Sequence, residues 1–515
     1  MMPALAEPTE ISLDWLLQGL IDLPDVPRLN LRGLCHDSRA AQPGDLFVAL
    51  AGSRAHGLKH AAEAIAAGAR AILFDPAGGG HLLAHEVFAV PCLPVFQLDQ
   101  KLGLLADRFY GEPSRFLDVI GITGTNGKTS CSHFLAHALS NQKPAGVIGT
   151  LGWGVPGKLR LTTHTTPDAI GVHAVLSQMY GEGFKSVAME ASSHGLVQGR
   201  LNGVRLRGGL FTNLSRDHLD YHGTMQAYLE AKLRLLSWPG LEFMAFNLDD
   251  DSASEIIKKA PAKLRLIGFT RNARTAAADG VEVVAAEAVR QTLDGIEFMG
   301  HYRGQSLPVN APVFGEFNVE NLLGVLAVLL GQGFSLFEAT RRLTQVRAVP
   351  GRMERFQERG RAAVVVDYAH TPDALEKTLE GLKQHCCGQL WVVFGCGGDR
   401  DRGKRPQMGA VAEKLADRVI LTDDNPRNEE GDAIIAEILG GCRSRDIEII
   451  RDRRAAIARA IASAMPEDVI LVAGKGHENT QEIAGVKHPF SDRAEVEALL
   501  QGASIATEGG VDEAH

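Results

Sequence analysis

From Phe116 to Ile122 the chain is mostly apolar; it then turns through Gly124 and Gly127, after which Cys131, Leu135, Ala138 and Leu139 recur at helical spacing. That pattern predicts a buried strand, a tight turn and a helix. Residues 44–50 (GDLFVAL) and 69–76 (ARAILFDP) predict two more strands, and 60–68 between them predicts a helix closed by Gly68. A helix running into a linker punctuated by Pro113 is predicted over 101–114. Strands are predicted at 185–192 and 208–214, a helix at 227–236, and a buried helix at 317–333 that stops at Gly333. Between 241 and 312 short segments alternate, which predicts an antiparallel insertion. Beyond 347 the apolar runs at 362–369, 390–395, 417–424, 447–452 and 468–474 are separated by helical stretches. This is the pattern of a doubly wound, Rossmann-like sheet.

The fold class expected is therefore α/β in three domains: a small N-terminal α/β domain (1–98), a central mostly parallel sheet of P-loop type (99–346) and a C-terminal Rossmann-like domain (347–515). A length of 515 residues agrees, at about 150 per domain. A hydrophobic content of 45% and a charged content of 22% are ordinary for a soluble globular chain. The net charge is −9 with no long basic run, which argues against a nucleic-acid partner. No apolar stretch is long enough to span a membrane. The acidic first residues lack the apolar core of a signal peptide. Seven cysteines without a CxxC pair do not make a disulfide framework, so a reducing cytoplasm is expected. Residues 506–515 are expected to fray. A monomer is the expected state.

The candidate chemistry sits at strand ends. Gly124, Thr125, Asn126, Gly127, Lys128 and Thr129 make a phosphate cradle for ATP or GTP: glycines admit backbone N–H groups, the helix N-terminus favours an anion, Lys128 supplies a charge and Thr129 can ligate Mg²⁺. Ile122 stands where the general P-loop pattern has its first glycine. Lys128 is expected to face solvent. Glu190 ends one strand, and Asp217, His218, Asp220 and His222 follow the next, a placement suited to metal or phosphate work. The hydroxyl-rich stretch 161–169 reads as a turn with side-chain caps. His36–Arg39 reads as a turn, residues 52–57 as a loop, Asn318 and Asn321 as helix caps, and Lys232, by itself, as a surface lysine. Four polar motifs end successive C-terminal strands: Asp367-Tyr368-Ala369-His370, the loop from Gly395 to Arg400, Asp424-Asn425-Pro426-Arg427, and the loop from Gly474 to Glu478. Together they predict one ligand crevice. The loop Gly395–Arg400 is not GxGxxG, so a dinucleotide is not indicated.

The segment TGTNGKTS resembles the nucleotide loop of the Mur ligase superfamily, which includes folylpolyglutamate synthetases, and the resemblance extends from Asp37 to Glu478. It implies that ATP lies on Gly124–Thr129 with Asn318, Arg352, Asp367 and His370. It implies Mg²⁺ held by Thr129, Glu190, His218 and a carbamate on Lys232, with Lys128, Glu190, His218 and Lys232 as the catalytic set. Ser38, Ser53, Arg54 and Ala55 would hold the UDP end of a nucleotide-sugar peptide, and Thr165, Thr166, Ser192, Gln198 and Arg200 its remainder. The motif Asp424–Arg427 is narrower. It resembles the members that add meso-diaminopimelate to UDP-N-acetylmuramoyl-L-alanyl-D-glutamate in peptidoglycan synthesis, and implies a diaminopimelate site of Arg400, Asp424, Asn425, Pro426, Arg427, Gly474 and Glu478. The reaction implied is ATP-dependent amide formation through an acyl phosphate. L-lysine as the amino acid is the near rival, a folylpolyglutamate synthetase a second, and a P-loop switch without ligation the rival of another class. Arg427 argues against lysine, which has no second carboxylate to pair, and the N-terminal DSR…PGDLFVAL pattern argues against folate.

Overall fold

The structure is a computed structural model. It describes residues 10–502, apart from 53–54, 85–87, 141–142, 163, 276–277, 293–294, 384–385 and 445–446. Ser53, Arg54 and the terminal stretch 506–515 lie outside the described residues. The fold is mixed α/β, and the chain groups into two compact units: 1–123, 139–209 and 231–242 form one, and 124–138, 210–230 and 243–515 the other.

In the first unit, strands Gly33–Cys35, Asp45–Ala49, Ala71–Phe74 and Cys92–Pro94 lie side by side and parallel. Parallel neighbours need crossovers, and these cover both faces. Leu46, Val48, Ala71 and Leu73 pack with helices Leu13–Leu17 and Leu98–Phe109, while Phe47, Ala49, Ile72 and Phe74 pack with helix Ala61–Ala66. Gly68 has φ +103°, as its helix-closing role requires. A second parallel run places Ser186–Glu190 between Ala145–Gly149 and Asp118–Thr123. The hairpin Gly152–Val155/Lys158–Arg160 extends its edge.

In the second unit, the helix Asn318–Gly331 buries nearly every residue, and Gly333 follows it at φ +95°. It packs on strands Phe243–Asn247 and Arg265–Thr270. These two strands, and the first part of Val281–Thr292, run parallel, with helix Ala253–Lys259 as the first crossover. Only Val281–Thr292, Gly295–Tyr302 and Gln305–Ala311 form an antiparallel meander. The expectation of an antiparallel insertion across 241–312 is corrected in its first part. Phe243–Asn247 is buried at every residue, the mark of a strand covered on both faces, whereas alternation belongs to a sheet with one wet face.

The C-terminal sheet has the order Glu354–Phe356, Ala363–Asp367, Val469–Ala473, Leu390–Phe394, Arg418–Leu421, Glu448–Ile449, parallel throughout except for the first strand. Val365, Val392, Phe394 and Leu471 pack with Leu375, Met408 and Ile435 on one face; Val364, Val366, Val393 and Ile470 pack with Ala456, Ile457 and Val496 on the other. Helices therefore cover both faces, as the doubly wound pattern predicts. Val469–Ala473, the last strand of this sheet in the chain, lies between the first two of the parallel set. The four polar motifs follow the carboxyl ends of these strands, the place where sheets of this kind bind ligands. All seven cysteines are free, and no helix among the described residues is long and apolar enough to cross a membrane.

Candidate active site

The glycine loop Gly124–Thr129, the expected phosphate cradle, lies in the second unit. Gly124 (φ +142°) and Gly127 (φ +83°) adopt backbone conformations that side chains disfavour, and a Cβ on either would collide with Thr212 Oγ1 or Asn321 Oδ1. The loop is fastened to the segment beyond strand Gly208–Phe211: Thr125 N donates to Asn213 O (2.9 Å), Asn126 N to Asn213 Oδ1 (2.9 Å), and Thr212 Oγ1 to Asn126 O (2.6 Å). Lys128 opens the helix Lys128–Leu139. It is half-buried, with Nζ donating to Gly124 O and Thr125 O at 2.8 Å each. The solvent-facing lysine expected from sequence is thus corrected: its short reach from the first helical turn folds it back over the loop.

Asn321 Oδ1 faces Gly127, and Asn321 Nδ2 donates to Asn318 Oδ1 (2.8 Å), whose own Nδ2 donates to Phe314 O (2.6 Å). Neither asparagine caps the helix; the N-cap is Phe317, without a side-chain hydrogen bond. Arg352 Nη2 lies 3.3 Å from Thr129 Oγ1, and its guanidinium stacks over Tyr368 at 4.2 Å. The Tyr368 ring in turn packs with His370 and His477. Burial pushes His133 and His477 down to about 3, with nearby Arg352 adding to the effect, so both imidazoles are neutral at pH 7. Burial pushes the Asp367 carboxyl up, against the pull of Arg352 and the amides of Met353 (2.7 Å) and Ala369 (2.8 Å).

Asp217, unranked in sequence among its neighbours, is the hub. It is buried, and its carboxylate faces His218 (3.4 Å), His370 (3.6 Å) and Lys404 (3.7 Å). Burial alone would raise it; the hydrogen bond from His370 and the charge of Lys404 outweigh that and hold it well below the usual carboxylate range. His218 has φ +54° and precedes the short helix Leu219–His222. A charged acid, two imidazoles and two cations (Lys404 here, Arg352 by Thr129) are thus gathered in the unit that carries the phosphate loop.

The other strand-end motifs also meet. Asp424, Asn425 and Pro426 are buried. Asn425 Nδ2 donates to Glu478 Oε2 (2.9 Å), and a Cβ on Gly474 would come within 2.5 Å of Asp424 Oδ2. Arg427 has φ +53°, donates from Nη1 to Gly398 O (2.7 Å) and lies 3.6 Å from Glu482 Oε2. Its backbone joins the hairpin strand Thr480–Ile483: Arg427 N donates to Glu482 O (3.0 Å) and Ala484 N to Arg427 O (2.6 Å). Arg400 stands exposed, 4.0 Å from Asp220. Sequence reasoning missed Arg405, which has no exposed surface. It grips Glu429 at 2.8 and 2.9 Å, Glu437 at 2.8 Å and Gly397 O at 3.1 Å, tying the loop Gly397–Arg400 to the loop Asp424–Glu429. Arg405 holds the Glu429 carboxyl down at about 2. The run of charge in Asp399–Arg405 was the available signal.

In the first unit Glu190 is buried at its strand's end and accepts from Thr150 N and Oγ1, 3.0 Å each. Thr150 Oγ1 also meets Thr165 Oγ1 (3.0 Å). Thr166 Oγ1 donates to Glu190 O (2.8 Å) and meets Ser192 Oγ (3.0 Å); Arg200 Nη1 donates to Thr166 O (2.7 Å) and its Nε to Gln198 Oε1 (2.9 Å). The five residues implied for the nucleotide-sugar peptide beyond its UDP end are therefore brought into one network around Glu190. Ser192 caps helix Ser193–Val197 through Gly195 N (3.1 Å). Ser192→Ala is expected to lower stability by about 1 kcal/mol, read as a shift in denaturation midpoint. Ser38 is buried and donates to Glu63 Oε2 (2.5 Å), while Ala55 is exposed. Lys232 has 1% of its surface exposed, so its reading as a surface lysine is corrected. Among the described residues no group of three His, Cys, Asp or Glu is arranged to hold a metal; Glu190 nonetheless offers the hard oxygen donor that Mg²⁺ takes, and a buried lysine is one whose amine can become neutral and be modified.

Three family models match the chain: "Mur ligase family, catalytic domain" at residues 30–110, "Mur ligase middle domain" at 122–329 and "Mur ligase, glutamate ligase domain" at 351–476. The chain is 46% identical over 492 residues to a protein of Alkalilimnicola ehrlichii named UDP-N-acetylmuramoyl-L-alanyl-D-glutamate–2,6-diaminopimelate ligase, covering 94% of this chain and 97% of that protein. It is 46% identical over 483 residues to a protein of the same name from Pseudomonas aeruginosa, covering 92% and 95%. A solved structure of a ligase so named superposes with a TM-score of 0.66 at 37% identity, covering 96% of this chain and 99% of that one. A folylpolyglutamate synthase from Mycobacterium tuberculosis shares the fold at 17% identity, with a TM-score of 0.59 over 72% of this chain and 91% of that one. With matches along nearly its whole length, the chain belongs to the Mur ligase family.

Proposed function

We propose that the chain is an ATP-dependent amide ligase that joins meso-2,6-diaminopimelate to UDP-N-acetylmuramoyl-L-alanyl-D-glutamate in peptidoglycan precursor synthesis, in the cytoplasm, as a monomer, with the domain division 1–98, 99–346 and 347–515. The observation that carries this reading is the loop Asp424–Arg427, with the half-buried Arg427 guanidinium 3.6 Å from Glu482 and Asn425 bonded to Glu478, in the same unit as the glycine loop Gly124–Thr129. The names of relatives at 46% identity support it.

In this reading the γ-carboxylate of the dipeptide attacks the γ-phosphate of ATP, giving an acyl phosphate and ADP. The amine of diaminopimelate then attacks the acyl carbon, the tetrahedral adduct expels phosphate, and the amide forms. Lys128, Arg352 and the loop N–H groups stabilise charge on the transferring phosphoryl group. Ser38, Ser53, Arg54, Ala55, Thr165, Thr166, Ser192, Gln198 and Arg200 hold the nucleotide-sugar peptide. Asn318, Asp367 and His370 line the nucleotide, and Arg400, Asp424, Asn425, Pro426, Arg427, Gly474 and Glu478 the amino acid. Mg²⁺, held by Thr129, Glu190, His218 and carbamylated Lys232, would neutralise phosphate charge. The burial of Lys232 motivates the carbamate; a crystal structure grown with bicarbonate that shows a free amine there rules it out. The test of the reaction is phosphate release from ATP with the UDP-dipeptide and a panel of amino acids. Release should require the dipeptide and be greatest with meso-diaminopimelate; turnover independent of any amino acid would sink the ligase reading.

A further inference from the structure

Lys475 is among the largest fully buried side chains of the protein, with no exposed surface, and it is a cation. A buried ammonium needs partners for its charge and its three donors. Lys475 Nζ donates to Asn425 Oδ1 (3.0 Å) and to Glu478 Oε2 (2.8 Å). The backbone is shaped to turn it inward. Gly474 has φ +114° and Gly476 φ +52°; a Cβ on Gly476 would come within 2.7 Å of Gly351 O and 2.8 Å of Tyr368 Cβ. Only glycines fit on either side of this lysine.

The consequence lies in its two partners. Asn425 Oδ1 accepts from both Lys475 Nζ and Glu482 N (2.9 Å), so two donors fix which way the amide points. Nδ2 must then face Glu478, where it donates to Oε2 at 2.9 Å. Glu478 Oε2 therefore receives two donors, Lys475 Nζ and Asn425 Nδ2. Its orientation is set, and the side chain, 30% exposed, is still open to a ligand.

We propose that Lys475 is a positioning residue for the amino-acid substrate. It holds Asn425 and Glu478 in the orientation that receives an ammonium-bearing ligand, without touching that ligand itself. The proposal rests on the reading of this crevice as the amino-acid site. The linear side chain of methionine is close to lysine's in length and has neither charge nor donor, so Lys475→Met leaves Asn425 Oδ1 and Glu478 Oε2 with one donor each in place of two. Loss of a charge-assisted hydrogen bond of this kind should raise KM for meso-diaminopimelate about ten- to a hundred-fold. KM for ATP and for the UDP-dipeptide should stay within about twofold, and kcat at saturation should change little.

The experiment first measures the wild type with meso-diaminopimelate, L-lysine and no amino acid, then Lys475→Met, with thermal melts of both. Absence of amino-acid-dependent turnover in the wild type sinks the activity reading. Selective wild-type turnover with an unchanged diaminopimelate KM in a folded Lys475→Met overturns the proposal alone, as does an equal loss for all three substrates. Should the methionine variant not fold, Lys475→Gln, which keeps an N–H donor and removes the charge, is measured in the same way. Failure of both to fold marks Lys475 as a structural strut and overturns the positioning role.

Discussion

Lys128→Ala is expected to lower kcat/KM for ligation at least about 10²-fold with almost no loss of stability. The side chain is half-buried, and its ammonium lies against Gly124 O and Thr125 O of its own loop, not against a core. Those carbonyls are neutral dipoles, and the phosphates of ATP carry full charge, so the ammonium gains by exchanging one for the other. As charge spreads over the transferring phosphoryl group, a cation already in place needs no reorganisation, and removing one such group costs on the order of 10²–10³-fold. Folding loses little, because alanine is a better helix former than lysine at this position and the lysine is only half-buried. The measurement is steady-state phosphate release beside a thermal melt. Near-normal turnover by a folded Lys128→Ala protein removes the loop from the catalytic assignment.

Arg427→Ala should raise KM for meso-diaminopimelate sharply and leave those for ATP and the UDP-dipeptide nearly unchanged. Diaminopimelate differs from lysine by a carboxylate at its far end, and a guanidinium fork pairs a carboxylate bidentately. The surroundings prepare Arg427 for that task. Its φ of +53° is held by backbone bonds to Glu482 and from Ala484, and Pro426 before it is buried. Glu429, the surface acid that could have claimed it, is taken by Arg405 at 2.8 and 2.9 Å. One donor goes to Gly398 O, and Glu482 lies at 3.6 Å, longer than a hydrogen bond, so part of the fork is open to an incoming anion. Lysine in the same pocket would leave the half-buried guanidinium without the second carboxylate of the ligand, at a cost of up to about 2–5 kcal/mol. That corresponds to roughly 30- to several-thousand-fold in discrimination. Comparing kcat/KM for meso-diaminopimelate and L-lysine in both proteins decides it. If wild type uses both equally, or Arg427→Ala keeps full diaminopimelate use, the specificity assignment fails while the ligase assignment stands.

The legible parts were those set by local chemistry. The phosphate loop could be read because Gly124 and Gly127 must be glycine for backbone reasons that act within a few residues. The C-terminal sheet could be read because its central strands Ala363–Asp367, Leu390–Phe394 and Val469–Ala473 are almost wholly buried and helices separate the parallel strands in the chain, which leaves the doubly wound arrangement as the way to bury them. The misread element, the start of 241–312, shows the limit. Phe243–Asn247 is a short apolar run whose direction relative to its neighbours depends on the crossover helix Ala253–Lys259, and periodicity does not encode direction.

Charged side chains divided differently. Residue type and spacing by themselves indicated that acids and bases end the strands, that Gly395–Arg400 and Asp424–Arg427 emerge at one end of one sheet, and that Gly124–Thr129 is a tight glycine turn between a strand and a helix. They could not say which charges are buried. Lys128, Lys232, Lys475 and Arg405 are equivalent as letters, yet one folds over its loop, two are buried lysines and the fourth is a buried clamp between loops. Burial of an ion depends on partners brought from distant segments, as Asn425 and Glu429 are brought to Lys475 and Arg405. That pairing exists only once the sheet has formed, so the sequence determined the fold class and which polar motifs end its strands, and the tertiary structure alone decided which charges are buried and held by partners.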